Sequence, residues 1–215
     1  MTWLADNWDT VLDLTLSHLY LAGVPLLVGL VVSLPLGWAA KRWPWWYPTI
    51  ITTTGLLYTI PSLALFVIMP ILLGTKILDP LNVVVAMTVY TVALLVRTVA
   101  DGLRSVPDHI EQSATAMGYK GVRRLFGVEL PLAVPVIASG LRVASVSNVS
   151  IVSVASLLGV SQLGDLLVDG YNRVIWGELV TGILACVLLA LALDVVIVGG
   201  TRALTPWLRV EGGRA

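Results

Sequence analysis

The chain has 215 residues, of which 57% are hydrophobic and 12% are charged, and its mean hydropathy is +0.91. A soluble domain of this size needs a more highly charged surface, so the composition excludes that class and predicts an integral membrane protein surrounded by lipid. The formal net charge is zero, which gives no support to a nucleic-acid partner. A single cysteine and two distant histidines, His18 and His109, offer neither a disulfide nor a metal-ligand spacing.

Five apolar blocks follow a short amphipathic lead-in over residues 1–14. Each is about as long as, or longer than, the roughly 20 residues that a helix needs to cross a bilayer. The blocks are residues 16–40, 50–73, 81–100, 132–160 and 179–200. The sequence therefore predicts an all-α, polytopic transmembrane helical bundle of about five spans, in a single domain over residues 1–215.

The lysines and arginines are unevenly distributed between the two ends of these spans. If the N-terminus lies outside, ten of them fall at the cytoplasmic face: Lys41, Arg42, Arg97, Arg104, Lys120, Arg123, Arg124, Arg202, Arg209 and Arg214. Because cytoplasmic segments carry the excess of positive charge, we expect an outside N-terminus and a cytoplasmic C-terminus. Splitting residues 132–160 into two spans is the alternative, and it would move the arginines of the tail outside.

A polar stretch over residues 108–135 separates the third and fourth apolar blocks. Apolar residues recur in it at roughly helical spacing: Ile110, Ala114, Met117, Leu125 and Phe126. This spacing predicts one or two short amphipathic helices. Gly118 and Gly121 would end or bend such a helix, because glycine turns the chain without a Cβ penalty.

The polar stretch resembles the EAA loop of permease subunits of ATP-binding-cassette importers. That loop is written E-A-A-x-x-x-G, then nine residues, then I-x-L-P. Gly118 stands at the glycine place, and residues 128–131 (VELP) stand at the I-x-L-P place. Residues 112–114 (QSA) occupy the E-A-A places, and the nearest carboxylate is Glu111, one residue early. The amide of Gln112 can hydrogen-bond but carries no charge.

Other segments resemble the permeases of osmoprotectant importers, which carry glycine betaine, carnitine or choline. These segments are residues 59–65 (TIPSLAL), 95–103, 130–142 and 157–167 (LLGVSQLGDLL). The resemblance implies a type I importer permease core with a cytoplasmic coupling loop at about 108–131 and an extracytoplasmic loop at about 161–178. It assigns the contact with the ATPase to Glu111, Gln112, Ser113, Ala114, Met117, Gly118, Arg123 and Pro131.

The resemblance also implies the partners of the chain. They are a second permease subunit, identical or homologous, two ATPase subunits and an extracytoplasmic substrate-binding protein, assembled at a bacterial plasma (inner) membrane. The sequence contains no G-x-x-x-x-G-K-[ST] loop for nucleotide phosphates. We therefore expect a transport subunit that is not an enzyme and binds no cofactor, with ATP–Mg²⁺ on the separate ATPase.

Several residues within the spans are candidates for the translocation pathway. The fourth block is rich in small and hydroxylated residues, and Ser145 and Asn148 either line a pathway or pack helices closely. Tyr58, Pro61 and Tyr90 lie in the second and third spans, where Pro61 predicts a kink. No tight aromatic cluster is evident outside residues 43–47, so high-affinity capture of a quaternary ammonium group is expected on the binding protein.

Arg142 and Asp194 are ionisable residues inside predicted spans, where charges usually have a function. A structural ion pair is the leading interpretation, and an ion or proton relay or contact with water are the alternatives. The relay would make the chain an ion-coupled secondary transporter of a small solute. Two further alternatives are an importer permease of the same type for another small solute and a membrane scaffold that transports nothing.

Overall fold

Long helices account for most of residues 2–207, which are the residues that the computed structural model describes. Arg209 and Arg214, used in the topology prediction, lie outside the described residues. The α-helices are α1 Thr2–Asp6, α2 Trp8–Arg42, α3 Tyr47–Thr59, α4 Ser62–Leu73, α5 Pro80–Arg104, α6 Asp108–Ala116, α7 Gly121–Arg124, α8 Leu130–Val152, α9 Gly164–Asn172 and α10 Trp176–Leu204. A π-helical turn, Leu125–Glu129, joins α7 to α8, and a 3₁₀ turn, Ser153–Leu158, follows α8.

The first and fourth predicted spans differ from the helices at their ends. The predicted lead-in is divided between two helices: α1 covers Thr2–Asp6, and α2 begins at Trp8 and continues without a break into the first apolar block. The fourth block, predicted to be too long for one straight span, leaves the α-helical conformation after Val152. The 3₁₀ turn that follows ends at Gly159, whose φ of +82° lies in the left-handed region that glycine adopts without strain.

The second predicted span is two helices. The axes of α3 and α4 meet at 100°, and the break lies between Ile60 and Pro61. Proline lacks an N–H group and pushes the preceding residue out of the α region, and Ile60 accordingly has an extended backbone with ψ of 130°. The kink predicted at Pro61 is confirmed, and it is a complete break.

Over the described residues, the chain crosses the bundle five times, with the bent pair α3–α4 counted as one crossing. α2 and α5 run parallel, since Gly29 lies against Thr91 and Gly37 lies against Val99. The end of α2 and the start of α5 are therefore at opposite faces, and the bent pair α3–α4 carries the chain back between them. α8 is antiparallel to α5, and α10 is antiparallel to α8. The described chain begins at one face and ends at the other.

We call the face where α2 and α5 end the basic face, because it carries Lys41, Arg42, Arg104, Arg123 and Arg124. The guanidinium of Arg104 lies over the ring of Tyr47, 3.5 Å from its centroid, and donates to the carbonyl oxygen of Ala40 at 3.3 Å. Tyr47 in turn donates its hydroxyl to Asp101 at 3.2 Å. These contacts hold the ends of α2 and α5 and the start of α3 together.

Glycines on α2 allow its close approach to α5. A methyl group at Gly29 would lie 2.5 Å from Cγ2 of Thr91, and one at Gly37 would lie 2.5 Å from Cγ1 of Val99 and 3.0 Å from the backbone nitrogen of Ala100. In lipid no hydrophobic force draws helices together, so this close packing contributes much of the attraction between them.

Replacing Gly37 with valine tests this packing. The added side chain would meet Val99 and the backbone of α5, and such overpacking costs about 1–3 kcal/mol. We expect a lower thermal unfolding temperature for the purified chain in detergent. Gly55→Val in α3 is the control, because a Cβ at Gly55 meets nothing within 4 Å. Equal unfolding temperatures for the two variants would contradict the proposal that Gly37 is needed for the close packing of α2 against α5.

Candidate functional site

We call residues 108–131 the coupling segment, after the role that the resemblance implies for them, and they contain the helix and the glycine turn that the sequence predicts. α6 begins after Pro107 and carries Asp108 and Glu111 in its first turn, where carboxylates interact favourably with the helix dipole. It ends before Gly118, whose φ of +89° favours glycine, and the backbone N–H of Gly118 donates to the carbonyl of Thr115. A second left-handed residue, Gly121, opens α7.

Four charged side chains form a closed ring at the basic face. Nζ of Lys41 lies 2.5 Å from Oε1 of Glu111 and 2.8 Å from Oε2 of Glu129. Arg124 completes the ring, with Nε 2.6 Å from Oε1 of Glu129 and Nη2 3.5 Å from Oε2 of Glu111. We call Lys41, Glu111, Arg124 and Glu129 the ionic ring. The ring connects the end of α2, helix α6 and the residues that lead into α8.

The ionic ring is largely shielded from water. The Glu129 side chain is 2% exposed, that of Lys41 is 15% exposed, and Arg124 is the most accessible member at 28%. Every charge has two neighbours of opposite sign, so none is left uncompensated in a region of low dielectric. Arg124 also donates from Nη1 to Oγ1 of Thr115 at 3.1 Å. This hydrogen bond is a second contact of Arg124 with α6, besides the ion pair with Glu111.

The π-helical turn explains how Arg124 reaches Glu129. Residues five apart point about 140° away from each other on an α-helix of 3.6 residues per turn. A π-helical turn brings residues i and i+5 onto the same side, and here the backbone N–H of Leu130 donates to the carbonyl of Leu125. The turn therefore brings the two side chains to the same side of the backbone, where they form one contact of the ring.

The predicted coupling residues fall on two sides of the segment. Those with exposed side chains or backbone are Gln112, Ser113, Met117, Gly118 and Arg123. Glu111 belongs to the ionic ring, and Pro131 is half-buried in the first turn of α8. Ala114, which the resemblance assigns to the ATPase contact, is buried inside the chain, so its side chain is not on the outside of the segment.

Apolar side chains are exposed on the outside of the segment, where Val122 and Phe126 join the predicted contact residue Met117. Met117, Val122 and Phe126 are 72%, 58% and 61% exposed. The sequence also gave no sign of the roles of Lys41 and Glu129. Lys41 reads as one more cation at the end of a span, and only the fold shows that it meets carboxylates 70 and 88 residues further along.

Ser145 and Asn148 are buried between helices and line no open path in this chain. Nδ2 of Asn148 donates to Oγ1 of Thr91 at 2.9 Å and to the carbonyl of Ala22 at 3.2 Å, which joins α8 to α5 and α2. Ser145 donates to the carbonyl of Arg142 within its own helix at 2.8 Å. Of the two alternatives that the sequence leaves open, their burial favours close helix packing.

Tyr58, Pro61 and Tyr90 meet at the break in the second crossing. The rings of Tyr58 and Tyr90 are in edge-to-face contact, with centroids 5.7 Å apart, and the hydroxyl of Tyr90 donates to the carbonyl of Ile60. Tyr90 is buried, while Tyr58 is exposed. The absence of a tight aromatic cluster outside residues 43–47 stays a prediction, and the break brings one pair of tyrosines from two spans into contact.

Arg142 and Asp194 form a bidentate ion pair between α8 and α10. Nε of Arg142 lies 2.5 Å from Oδ1 of Asp194, and Nη2 lies 2.9 Å from Oδ2. The Arg142 side chain is nevertheless 49% exposed. It lines a cavity of about 340 Å³ with Ser139 and Thr201 between the same two helices.

The predicted loop at about 161–178 contains a helix, α9, at the face opposite the basic face. Burial raises the pKa of the Asp165 carboxyl, and a hydrogen bond from Ser161 offsets part of this effect. Tyr171 and Trp176, within the same stretch, are strongly exposed. Within residues 2–207, no group of three His, Cys, Asp or Glu side chains is placed to hold a metal ion.

Comparison with known proteins places this geometry in a family. Residues 26–210 match the model for the inner membrane component of binding-protein-dependent transport systems. The chain is 33% identical over 195 residues to the osmoprotectant import permease protein OsmW of Salmonella typhimurium, covering 89% of this chain and 90% of the relative. It is 29% identical to the glycine betaine/carnitine/choline transport system permease protein OpuCB of Bacillus subtilis, covering 96% and 94%.

A solved structure agrees on the fold. A chain from inward-facing structures of the MetNI methionine ABC transporter superimposes with a TM-score of 0.83 at 20% identity, covering 93% of this chain and 98% of that one. The predicted all-α importer-permease bundle is thereby confirmed. The chain belongs to the family of inner membrane components of binding-protein-dependent transport systems.

Proposed function

We propose that the chain is the membrane-spanning permease subunit of an ATP-driven importer of osmoprotectants such as glycine betaine, choline or carnitine. The observation that carries the proposal is the coupling segment, an exposed helix and glycine turn held at the basic face of a family fold. The solute class comes from the names of the relatives, which transport osmoprotectants, glycine betaine, carnitine and choline. A permease for another small solute would share the same coupling segment.

The orientation follows from charge. The basic face lies in the cytoplasm, because positively charged segments are retained there, and the N-terminus lies outside. Two ATPase subunits, which bind ATP–Mg²⁺, dock at this face on permease subunits. The contact is made by Gln112, Ser113, Met117, Gly118 and Arg123, and the exposure of Val122 and Phe126 supports adding these two residues to it. A substrate-binding protein docks at residues 161–178.

The translocation path runs between this chain and a second permease, identical or homologous. Arg142 is half-exposed in the middle of an apolar helix, and a charge there is costly against lipid. The face of α8 and α10 that carries Arg142 and Asp194 is therefore turned toward water or the second subunit. Tyr58, at the broken crossing, is a further candidate for the path, with Pro61 and Tyr90 shaping the backbone behind it.

ATP-dependent uptake tests the function. Proteoliposomes containing the purified complex and its binding protein are expected to accumulate at least one of glycine betaine, choline and carnitine only when ATP–Mg²⁺ is present. Uptake that follows an imposed proton or sodium gradient without ATP would instead support a secondary transporter with Arg142 and Asp194 as its ion site. Partner binding without any solute flux would support a scaffold.

Gly118→Asp is expected to reduce this uptake to background. A side chain at φ of +89° is strained, and the carboxylate changes the surface that meets the ATPase, while a Cβ there has open space within the chain. Gly74→Asp is the matched control, because Gly74 also has a left-handed φ, +66°, and open space but lies at the opposite face. Normal uptake by Gly118→Asp would contradict the coupling assignment.

Met117→Asp and Phe126→Asp test the apolar docking surface. Burying an unpaired carboxylate against a partner is unfavourable, so we expect at least about fivefold less ATPase subunit to co-purify with each variant. Ile77→Asp is the control, since Ile77 is equally exposed at the opposite face. Unchanged recovery of the ATPase with Met117→Asp and Phe126→Asp would remove this surface from the interface.

A further inference from the structure

We propose that Lys41 is a positioning residue for coupling: through the ionic ring it ties the coupling segment to the end of α2, so that α6, α2 and the start of α8 move together. The inference rests on the proposed importer function and deepens it. The resemblance to the EAA loop assigned no role to Lys41, and the ring itself is visible only in the fold.

The ionic ring links α6 to α2. α6 makes its main backbone contacts with α7 and the π-helical turn, both of which belong to the coupling segment itself. Lys41 is the last-turn residue of α2 that reaches across to Glu111, at 2.5 Å. A displacement of α6 by a partner is therefore passed to the first span through this contact.

Lys41 and Arg124 each bridge the same two carboxylates. Lys41 binds one carboxylate on α6 and another, Glu129, at the residue immediately before α8. Arg124 binds the same two carboxylates from the other side. Two cations that each bridge two anions fix the relative positions of three segments, which a single ion pair between two segments would not do.

Glu111 and its neighbour Gln112 face different sides of α6. Glu111 is turned inward to the ring, and Gln112, the next residue, is exposed. The carboxylate that stands one residue early in the sequence is thus used within the chain, and the outward position holds a neutral amide. The shift of one residue changes the partner of the carboxylate, since neighbouring residues on a helix point about 100° apart.

Stability and positioning can be separated, because buried ion pairs often add little to stability while they fix geometry. Lys41→Met leaves the ring with an excess negative charge beside the nearly inaccessible Glu129. Lys41→Met combined with Glu129→Gln restores the balance of charge, with Arg124 and Glu111 remaining as a pair. In both variants the tie between α2 and α6 is lost.

The experiment compares these variants in the reconstituted complex, using whichever of glycine betaine, choline and carnitine the unmodified complex takes up best. Two quantities are measured: the thermal unfolding temperature of the complex and the number of solute molecules moved per ATP hydrolysed. We expect Lys41→Met to lower both, the second by at least about fivefold. The double variant is expected to recover the unfolding temperature and to keep the low transport ratio.

Two controls sharpen the test. Lys41→Arg keeps a cation that can bridge two carboxylates, and it is expected to retain most of the transport ratio. Arg42→Met removes the neighbouring, exposed cation of the same helix end and is expected to leave the ratio unchanged.

Each contrary result has a defined meaning. A transport ratio in Lys41→Met equal to that of the unmodified complex would overturn the inference while leaving the importer function intact. Recovery of both quantities in the double variant would show that the ring only stabilises the fold, which also overturns it. Absence of ATP-dependent uptake by the unmodified complex would overturn the proposed function and this inference with it.

Discussion

The close parallel approach of α2 and α5 is the constraint on which the remaining architecture depends. Gly29 and Gly37 leave room for Thr91 and Val99, and no larger residue would fit without moving a helix. Because the two helices point the same way, the segment between them must return across the bundle, and Pro61 breaks it on the way. The same approach places Ala40 beside Arg104 and so brings Lys41 to the coupling segment.

Polar contacts fix the helices at two further levels. Asn148 joins three helices through Thr91 and a backbone carbonyl. Nearer the opposite face, the ring nitrogens of His18 lie 2.8 Å from Oε1 of Gln162 and 3.0 Å from the carbonyl oxygen of Val149. Each contact joins segments more than 50 residues apart, and a polar group buried in this way is costly unless it is paired. The bundle is therefore held by specific pairings along its length as well as by packing.

Sequence reasoning predicted what depends on local pattern. The apolar blocks gave the crossings, the glycine spacing gave the end of α6, and the charges of Arg142 and Asp194 suggested their pair. It failed where the result depends on the rotation of a helix about its own axis. Ala114 points inward for that reason, and the choice left open for Asn148, between lining a pathway and packing helices closely, depends on the same rotation.

The ionic ring shows the same limit in another form. A lysine, an arginine and two glutamates near one membrane face are consistent with many pairings, and residue counts cannot choose among them. The choice is made by two features of backbone geometry. Parallel packing with α5 sets where α2 ends, and the π-helical turn brings Arg124 and Glu129 to one side. Neither feature has a signature in the charged residues themselves.

The continuous helices and the interrupted second crossing differ in how they transmit a displacement along the bundle. α2, α5, α8 and α10 are continuous helices through most of the bundle, and a continuous helix passes a displacement along its axis because every turn is hydrogen-bonded to the next. The second crossing lacks that continuity at Ile60, where Tyr90 supplies a hydrogen bond from a side chain in place of one from the helix. In the proposed coupling, a displacement that enters at the basic face through the ionic ring is therefore carried by α2 and α8, while α3 and α4 follow it through their packing against neighbouring elements, mainly α5.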